Sequence, residues 1–370
     1  MTAVKRAVAV LTLAAALFTG GCSTEPGSPG TSTPANTPGS KASSPPSTPP
    51  SPSPGAPEQR KAGGMRGITL PAWNTDDYHS PEAGTYLRQI AATGAQWVTF
   101  TPTWYQDTVT DPGQHTTGET ASDDSLRHII GLARATGLKV MLKPHVDLRD
   151  GSDRARIRPT DADAWFGAYT RLITHYARLA ADTGVEQLAV GTELTGLSQD
   201  APHWREVVAA VRAQYRGTLT YAANYDEYDK VPFWDALDVI GIDAYWPLAD
   251  TATTDENRLR AAWQPIADRL AAFSAVQHRR ILFTEAGYVS QRGTTTAPYS
   301  WTVSKNTDND EQAAAYAALL SAFDGKPWWA GVCWWMWDDW PGAGETKKKL
   351  AYTPHGKQAE TVLRKWWGGS

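Results

Sequence analysis

Only two cysteines occur in 370 residues, Cys22 and Cys333, which excludes a disulfide framework or a cysteine-rich metal site within one chain. Long apolar runs are equally scarce. The N-terminal stretch over 7–18 is too short to cross a bilayer as a permanent helix. Charge of one sign is lacking too: 35 Lys and Arg face 39 Asp and Glu, a formal net charge of −4 with both signs interspersed. That balance gives no basic footprint for nucleic acid. A glycine-rich phosphate loop is also missing, because the first strand-like run continues as "GITLPAWN" rather than G-x-G-x-x-G.

What the N-terminus does carry is the layout of an export signal. Lys5 and Arg6 precede the apolar run, small residues follow, and Cys22 comes directly after Gly20 and Gly21. Residues 1–22 therefore read as a lipoprotein-type signal with Cys22 as the lipidation site, although Thr19 stands where such a box usually has Leu. An ordinary signal peptide cleaved nearby is the other reading. Over 23–64 nearly every residue is Pro, Ser, Thr or Gly, as in "SSPPSTPPSPSPG". So little apolar surface does not offset the entropy of ordering, and a disordered tether is expected. The expected location is extracellular, anchored to the cell membrane through the lipid. One folded domain remains, 65–370.

Within that domain, eight strand-like runs alternate with helix-like ones. Strands are expected at 66–70, 96–105, 139–147, 187–194, 219–225, 238–248, 280–288 and 330–338. Between them apolar residues recur at three- and four-residue spacing, as in "SLRHIIGLARATG" and "AWFGAYTRLITHYARLAADTG". Gly94, Gly137, Gly184 and Gly217 stand where helix C-caps would fall. Near-continuous apolar strands alternating with helices indicate a parallel sheet covered by helices. Eight such units close a (β/α)8 TIM barrel, an α/β fold. An open doubly wound sheet is the alternative, disfavoured by the missing phosphate loop.

Two of the strands end alike. "VEQLAVGTEL" delivers Glu193 and "RRILFTEAGY" delivers Glu285, each after an apolar run and a threonine. Charged residues are seldom fully buried without partners, and in such barrels the strand C-termini form the active-site face. Paired carboxylates there suit glycoside hydrolysis: one hands a proton to the leaving oxygen while the other faces the developing oxocarbenium ion.

The 17 tryptophans fit either a surface that stacks on sugar rings or a Trp-rich core. Trp335 and Trp337 in "CWWMWDDW" are candidates for a platform under the sugar at the cleaved bond, with Trp334 and Trp340 as alternates. Trp73 and Trp104 are candidates for outer subsites. Lys143, His145 and Asp147 alternate along one strand and share a face, fit to bond a sugar or balance charge. A metal site built on His145 and Asp147 lacks further ligands, so no metal is expected. Asn224 and Asp226 end another strand and suit sugar hydroxyls or loop capping.

From about 67 to 367 the chain resembles glycoside hydrolase family 113, of the retaining barrel glycosidases called clan A. The matching pieces, in order, are "LKPHVD", "VGTEL", "YAANYDE", "FWDALDVIGIDAYWPL", "LFTEAGY", "GVCWWMW" and "YTPHGKQAETVL". Characterised members of that family are β-1,4-mannanases, so the resemblance implies a retaining, endo-acting hydrolase of β-mannan without a cofactor. It implies Glu193 as general acid/base and Glu285 as nucleophile. Tyr245, closing "GIDAY", matches the clan tyrosine that hydrogen-bonds the nucleophile. Thr192 departs from the clan's usual Asn before the acid/base, which leaves no residue assigned to the sugar 2-hydroxyl. Other readings stay open: the same machinery on another β-linked glycan, exo action on oligosaccharides, or a glycan-binding lipoprotein without catalysis. The last predicts loss of a carboxylate, and both are present. No nucleic-acid partner is expected, and the chain is expected to act as a monomer.

Overall fold

The computed structural model describes residues 64–340 and 349–369. The export signal, Cys22 and the tether up to residue 63 lie outside the described residues. The chain enters β1 (Met65–Thr69), and β2 (Trp97–Phe100), β4 (Lys139–Leu142), β6 (Gln187–Thr192), β7 (Thr218–Asn224), β8 (Ile240–Asp243), β9 (Ile281–Ala286) and β10 (Trp329–Trp334) join it in one barrel. The barrel is closed and parallel, in the order β1-β10-β9-β8-β7-β6-β4-β2. Around it lie α1 (Ala83–Ala92), α2 (Asp123–Ala135), α3 (Ala162–Thr183), α4 (Ala201–Gln214), α5 (Glu256–Gln277), α6 (Asn309–Phe323) and α7 (Gln358–Trp367). This is a (β/α)8 TIM barrel.

Local chemistry starts and stops these helices. Ser122, Asp161, Asp200, Asp255 and Asp308 each accept a hydrogen bond from a first-turn amide, occupying donors that have no partner inside the helix. Gly184 ends α3 in the left-handed conformation at φ 69°, where a Cβ would be strained. Gly94 and Gly137 do the same for α1 and α2, just past the cap residue in each case. Gly217 does not. Tyr215 caps α4 in an extended conformation, and Gly217 is required because a Cβ there would lie 2.1 Å from the Tyr215 hydroxyl and 2.9 Å from the Glu186 carbonyl.

Two expected strands are each cut in half. The run at 96–105 is β2 followed by β3 (Thr103–Gln106), and 139–147 is β4 followed by β5 (His145–Leu148). Pro102 and Pro144 occupy the breaks, and a proline has no N–H to give a ladder. Beyond the prolines, β3 and β5 pair with each other in parallel as a separate two-stranded sheet. This extension carries His145 and Asp147 past the barrel rim. The run at 238–248 is also shorter than expected, because β8 stops at Asp243 and leaves 244–248 irregular.

Most of the tryptophan excess is core. Trp165, Trp204, Trp234, Trp263, Trp334 and Trp337 are fully buried, and burying one such ring contributes on the order of 1.5–3 kcal/mol. Inside the barrel, Met65, Met141, Val239, Leu282 and Cys333 form a small apolar cluster. Cys333 is a free, buried thiol 2.7 Å from Thr99 Oγ1. A depression of about 730 Å³ opens at the N-terminal end, with Met65, Lys139, Val239 and Leu282 in its lining. Its one acidic lining residue, Asp238, is already bonded by Arg212 and the Leu219 amide, so the chemistry must be sought at the other end.

Candidate active site

Glu285 is the penultimate residue of β9, on a strand whose neighbour β8 contributes Asp243 at the same level in the register. Its side chain is nearly closed off, at 6 % exposure. Lys143 Nζ, from the Pro144 break, donates to Oε1 at 2.5 Å, and Tyr245 OH donates to Oε2 at 2.6 Å. Both oxygens of Glu285 are thus acceptors. Lys143 also contacts Asp243 Oδ2 at 3.4 Å, while Thr284 Oγ1 donates to Asp243 Oδ1 at 2.7 Å. An ammonium has only donors, so the third partner of Lys143, His145 Nε2 at 3.2 Å, is the acceptor of that pair.

Glu193 reaches the mouth differently. The chain leaves β6 with Glu193 itself in the left-handed region, φ 54°, which for a non-glycine costs about 1–3 kcal/mol. Two hydrogen bonds fix the turn: Glu193 N donates to Ala222 O at 2.8 Å, and Leu194 N to Tyr221 OH at 2.9 Å. Behind it, the buried carboxyl of Glu227 accepts from Tyr221 OH, Thr195 Oγ1 and the Asn224 amide, each at 2.9 Å. In front, Arg154 Nη1 donates to Glu193 Oε2 at 3.1 Å. The same guanidinium holds Asp147 through Nη2.

Charges within this cluster do not cancel. Lys143 and Arg154 face four carboxyl groups: Glu285, Glu193, Asp243 and Asp147. Burial pushes Glu193 well above the usual carboxylate range; Arg154 and Lys143 oppose this, and the fields of Asp243 and Glu285 add to it. Burial likewise pushes Asp243 up to about 7, against the pull of Lys143 and with the field of Glu285. Burial alone would lower Lys143, but Asp243, Glu285 and Glu193 outweigh it and hold the ammonium above its ordinary value. His145 is driven the other way, well below 6.5, by burial and then by Arg154 and Lys143. It is a neutral imidazole.

The mouth has an aromatic half. Tyr245, Val289, Met336 and Tyr352 form its buried base, with Trp73, Tyr225, Tyr299, Trp301 and Trp335 half-buried against it. Trp335 stacks on the His145 ring (6.0 Å, 18°) and lies under Lys143 Nζ, 5.9 Å from the ring centre. It is therefore the tryptophan that faces the carboxylates. Trp337, Trp334 and Trp340 are not surfaces for a sugar. Trp337 is buried against His355, Trp334 against Tyr316, and Trp340 binds the Pro71 carbonyl.

Trp73 lines the mouth, its Nε1 bonded to Asp338 Oδ1 at 3.1 Å. Trp104 does not: on β3 it points outward, bonding Tyr176 OH on α3 at 2.8 Å. Strand alternation turns its neighbour Tyr105 toward Asp147 and Arg154 instead. Asn224 donates to Thr195 Oγ1 at 3.2 Å and so shapes the turn after Glu193. Asp226 is exposed in the loop that follows β7.

Sequence reasoning missed Arg154, Asp243, Glu227, Tyr299, Trp301 and Tyr352. Asp243 had a usable signal, since it stands two residues before Tyr245 in "IGIDAY" and shares its face. Arg154 had none, being one arginine among several in a loop.

An eight-stranded barrel with carboxyl groups and aromatic rings gathered at its C-terminal mouth defines a glycoside hydrolase of the clan A type. The model of Glycoside Hydrolase Family 113 matches residues 71–357, and the chain belongs to that family. Among solved structures it is similar to a GH113 β-1,4-mannanase, with 30% identity over 83% of this chain and 100% of that one, at TM-score 0.75. It is similar also to the GH113 β-mannanase AaManA from Alicyclobacillus acidocaldarius in complex with ManMIm: 30% identity, 83% and 98% coverage, TM-score 0.74. A β-glucuronidase of Faecalibacterium prausnitzii, 15% identical over 83% of this chain and 49% of its own, shares the fold alone at TM-score 0.56. No curated protein sequence matches the chain.

Proposed function

We propose that this chain hydrolyses β-1,4-mannosidic bonds within mannan chains with retention of configuration, using Glu285 as nucleophile and Glu193 as general acid/base. The carrying observation is the asymmetry between the two carboxyls. Glu285 accepts donors at both oxygens and has lone-pair density to attack an anomeric carbon. Glu193, half-buried among other carboxyls, is held well above the usual range, which favours its protonated form. A carboxyl that favours its proton beside one that accepts donors at both oxygens divides the roles of acid and nucleophile.

In the first step Glu285 attacks the anomeric carbon while Glu193 gives its proton to the departing glycosidic oxygen. The bond formed is a glycosyl ester on Glu285. In the second, Glu193, now ionised, takes a proton from water, the water oxygen attacks the same carbon, and Glu285 leaves as carboxylate. Retention requires the two carboxyls to lie about 5–5.5 Å apart. Glu193 and Glu285 stand at the ends of β6 and β9 on the same rim of the barrel, which supports their convergence over one bond. The similarity to GH113 β-1,4-mannanases supports mannan as substrate.

The proposed setting is the outer side of the cell membrane, with Cys22 lipidated, 23–64 as tether, and the protein monomeric. The sequence layout supports it, and release of a Cys22→Ser variant into the medium tests it.

The deciding experiment is hydrolysis of β-1,4-mannan and manno-oligosaccharides, with cellulose and xylan oligosaccharides in parallel, by wild type, Glu193→Gln and Glu285→Gln. Mannan cleavage lost in both variants, with β-anomeric products first by NMR, is the expected result. Activity confined to another glycan moves the substrate, and activity surviving both substitutions overturns the two-carboxyl mechanism. Binding without turnover by wild type would make the chain a glycan-binding protein.

A further inference from the structure

We infer that Arg154, held in place by Asp147, is the residue that positions the Glu193 carboxyl and sets when it gives up its proton. The inference rests on the acid/base reading of Glu193 above and adds to it a group from outside the barrel strands. Arg154 begins a short 3-10 turn, Arg154–Arg156, in the loop that follows β5. Asp153 caps that turn by accepting from the Ala155 amide at 2.9 Å, which fixes where the Arg154 side chain departs. The guanidinium is only 16 % exposed and forks between two carboxyl groups, Nη2 to Asp147 and Nη1 to Glu193 Oε2.

This geometry bears on a problem that Glu193 must solve twice. As an acid it must hold a proton, and as a base it must release one at the same pH. Burial and the carboxyls of Asp243 and Glu285 favour the proton. The charges that favour release are Lys143, bonded to Glu285, and Arg154, in direct contact. Tyr352 also faces Glu193, and the turn behind it is braced by Tyr221 and Glu227. Once Glu285 becomes a neutral ester, its share of the repulsion disappears, and the charge of Arg154 then favours the ionised form that activates water. Oε2 is the oxygen bonded to Arg154, so Oε1 is the one oriented to carry the transferred proton. Asp147 keeps the guanidinium from collapsing fully onto Glu193.

The test is the pH dependence of kcat/KM for Arg154→Gln, Arg154→Lys and Asp147→Asn, beside wild type and Glu193→Gln, with melting curves as a check on folding. Gln keeps a donor without the charge. An opposite charge at this range moves a carboxyl by about one to three units. Arg154→Gln should therefore move the alkaline limb up by about one unit or more, and Arg154→Lys should return it toward wild type. Asp147→Asn should move the limb down, because Arg154 then acts on Glu193 alone; this opposite sign is readable even if the Gln variant does not fold. With an activated aryl glycoside, whose departure needs no acid, Arg154→Gln should slow turnover by impairing the second step. A merely structural role predicts lower activity with an unmoved limb, and that result in folded variants overturns the inference. If Glu193→Gln retains the wild-type alkaline limb, the acid/base reading itself falls, and the role of Arg154 with it.

Discussion

The hydroxyl of Tyr245 donates to Glu285 Oε2 at 2.6 Å, from the strand end adjacent to the one that carries the glutamate. Two residues earlier, Asp243 sits level with Glu285 and engages Lys143, which donates to the other oxygen of Glu285. One strand end thus governs both contacts of the glutamate, one directly and one through a lysine. A hydrogen bond to a charged group contributes about 1.5–3 kcal/mol.

Tyr245→Phe removes that donor and leaves the ring among Val289, Met336 and Tyr352. The expected outcome is a fall in kcat of about 10- to 100-fold, with the melting temperature little changed. Steady-state kinetics and a thermal melt on the same preparation check it. A large loss of stability with normal kcat would contradict the contact's catalytic importance.

Trp335 and Trp337 separate platform from core. Trp335→Ala should lower kcat/KM by about 10- to 100-fold, the worth of a buried aromatic contact, with modest change in stability. Trp337→Ala should instead cost about 3–5 kcal/mol of stability through the cavity it leaves, since Trp337 is wholly enclosed. Chemical denaturation beside kinetics on both variants distinguishes them.

The division between these two tryptophans explains how much the sequence could say. Near-continuous apolar runs and the T-E endings were enough to expect eight strands and to single out Glu193 and Glu285, because those signals are local. With a strand expected to run to 338, Trp335 and Trp337, two apart, would share one of its faces. The strand, however, ends at Trp334, and beyond it the chain no longer alternates. Prolines at 102 and 144 carried a readable warning that the second and third strands would break. Arg154, Tyr299 and Trp301 sit in loops whose positions follow only from closing the barrel, and no spacing in the chain announces them.

His145 ties the site to acid stability. Its folded pKa lies well below 6.5, while in the unfolded chain it titrates near the ordinary value of about 6.5. As pH falls below that value, the unfolded chain binds a proton that the folded chain refuses, so stability drops, by at most about 1.4 kcal/mol per pH unit from this group. The loss ends only when pH reaches the folded pKa. His145→Asn should flatten the difference in unfolding free energy between pH 7 and pH 5, measured by urea denaturation. An unchanged slope would mean that His145 is charged in the folded protein.

Tyr225 and Tyr299 bear on where along a glycan the enzyme cuts. Their rings are parallel, 8° apart in plane and 6.3 Å between centres, and both are half-buried at the mouth. Tyr225 directly follows β7, next to the strand that presents Glu193; on the proposed acid role of Glu193, a leaving sugar departs toward this side. Tyr299 is held by a rigid loop: Tyr352 OH donates to the Pro298 carbonyl at 2.5 Å, and Gln291 Nε2 to the Ser300 carbonyl at 2.6 Å. The buried Glu311 accepts the Gly293 and Thr295 amides at 2.7 and 3.1 Å. Rings fixed in advance bind without an ordering cost. Tyr299→Ala should therefore lower kcat/KM for mannohexaose about tenfold while changing mannotriose little, and should shift early products toward smaller fragments. Equal losses on both substrates would mean that the sugar chain does not extend past this pair, as expected of a pocket that trims chain ends rather than a cleft that cuts within them.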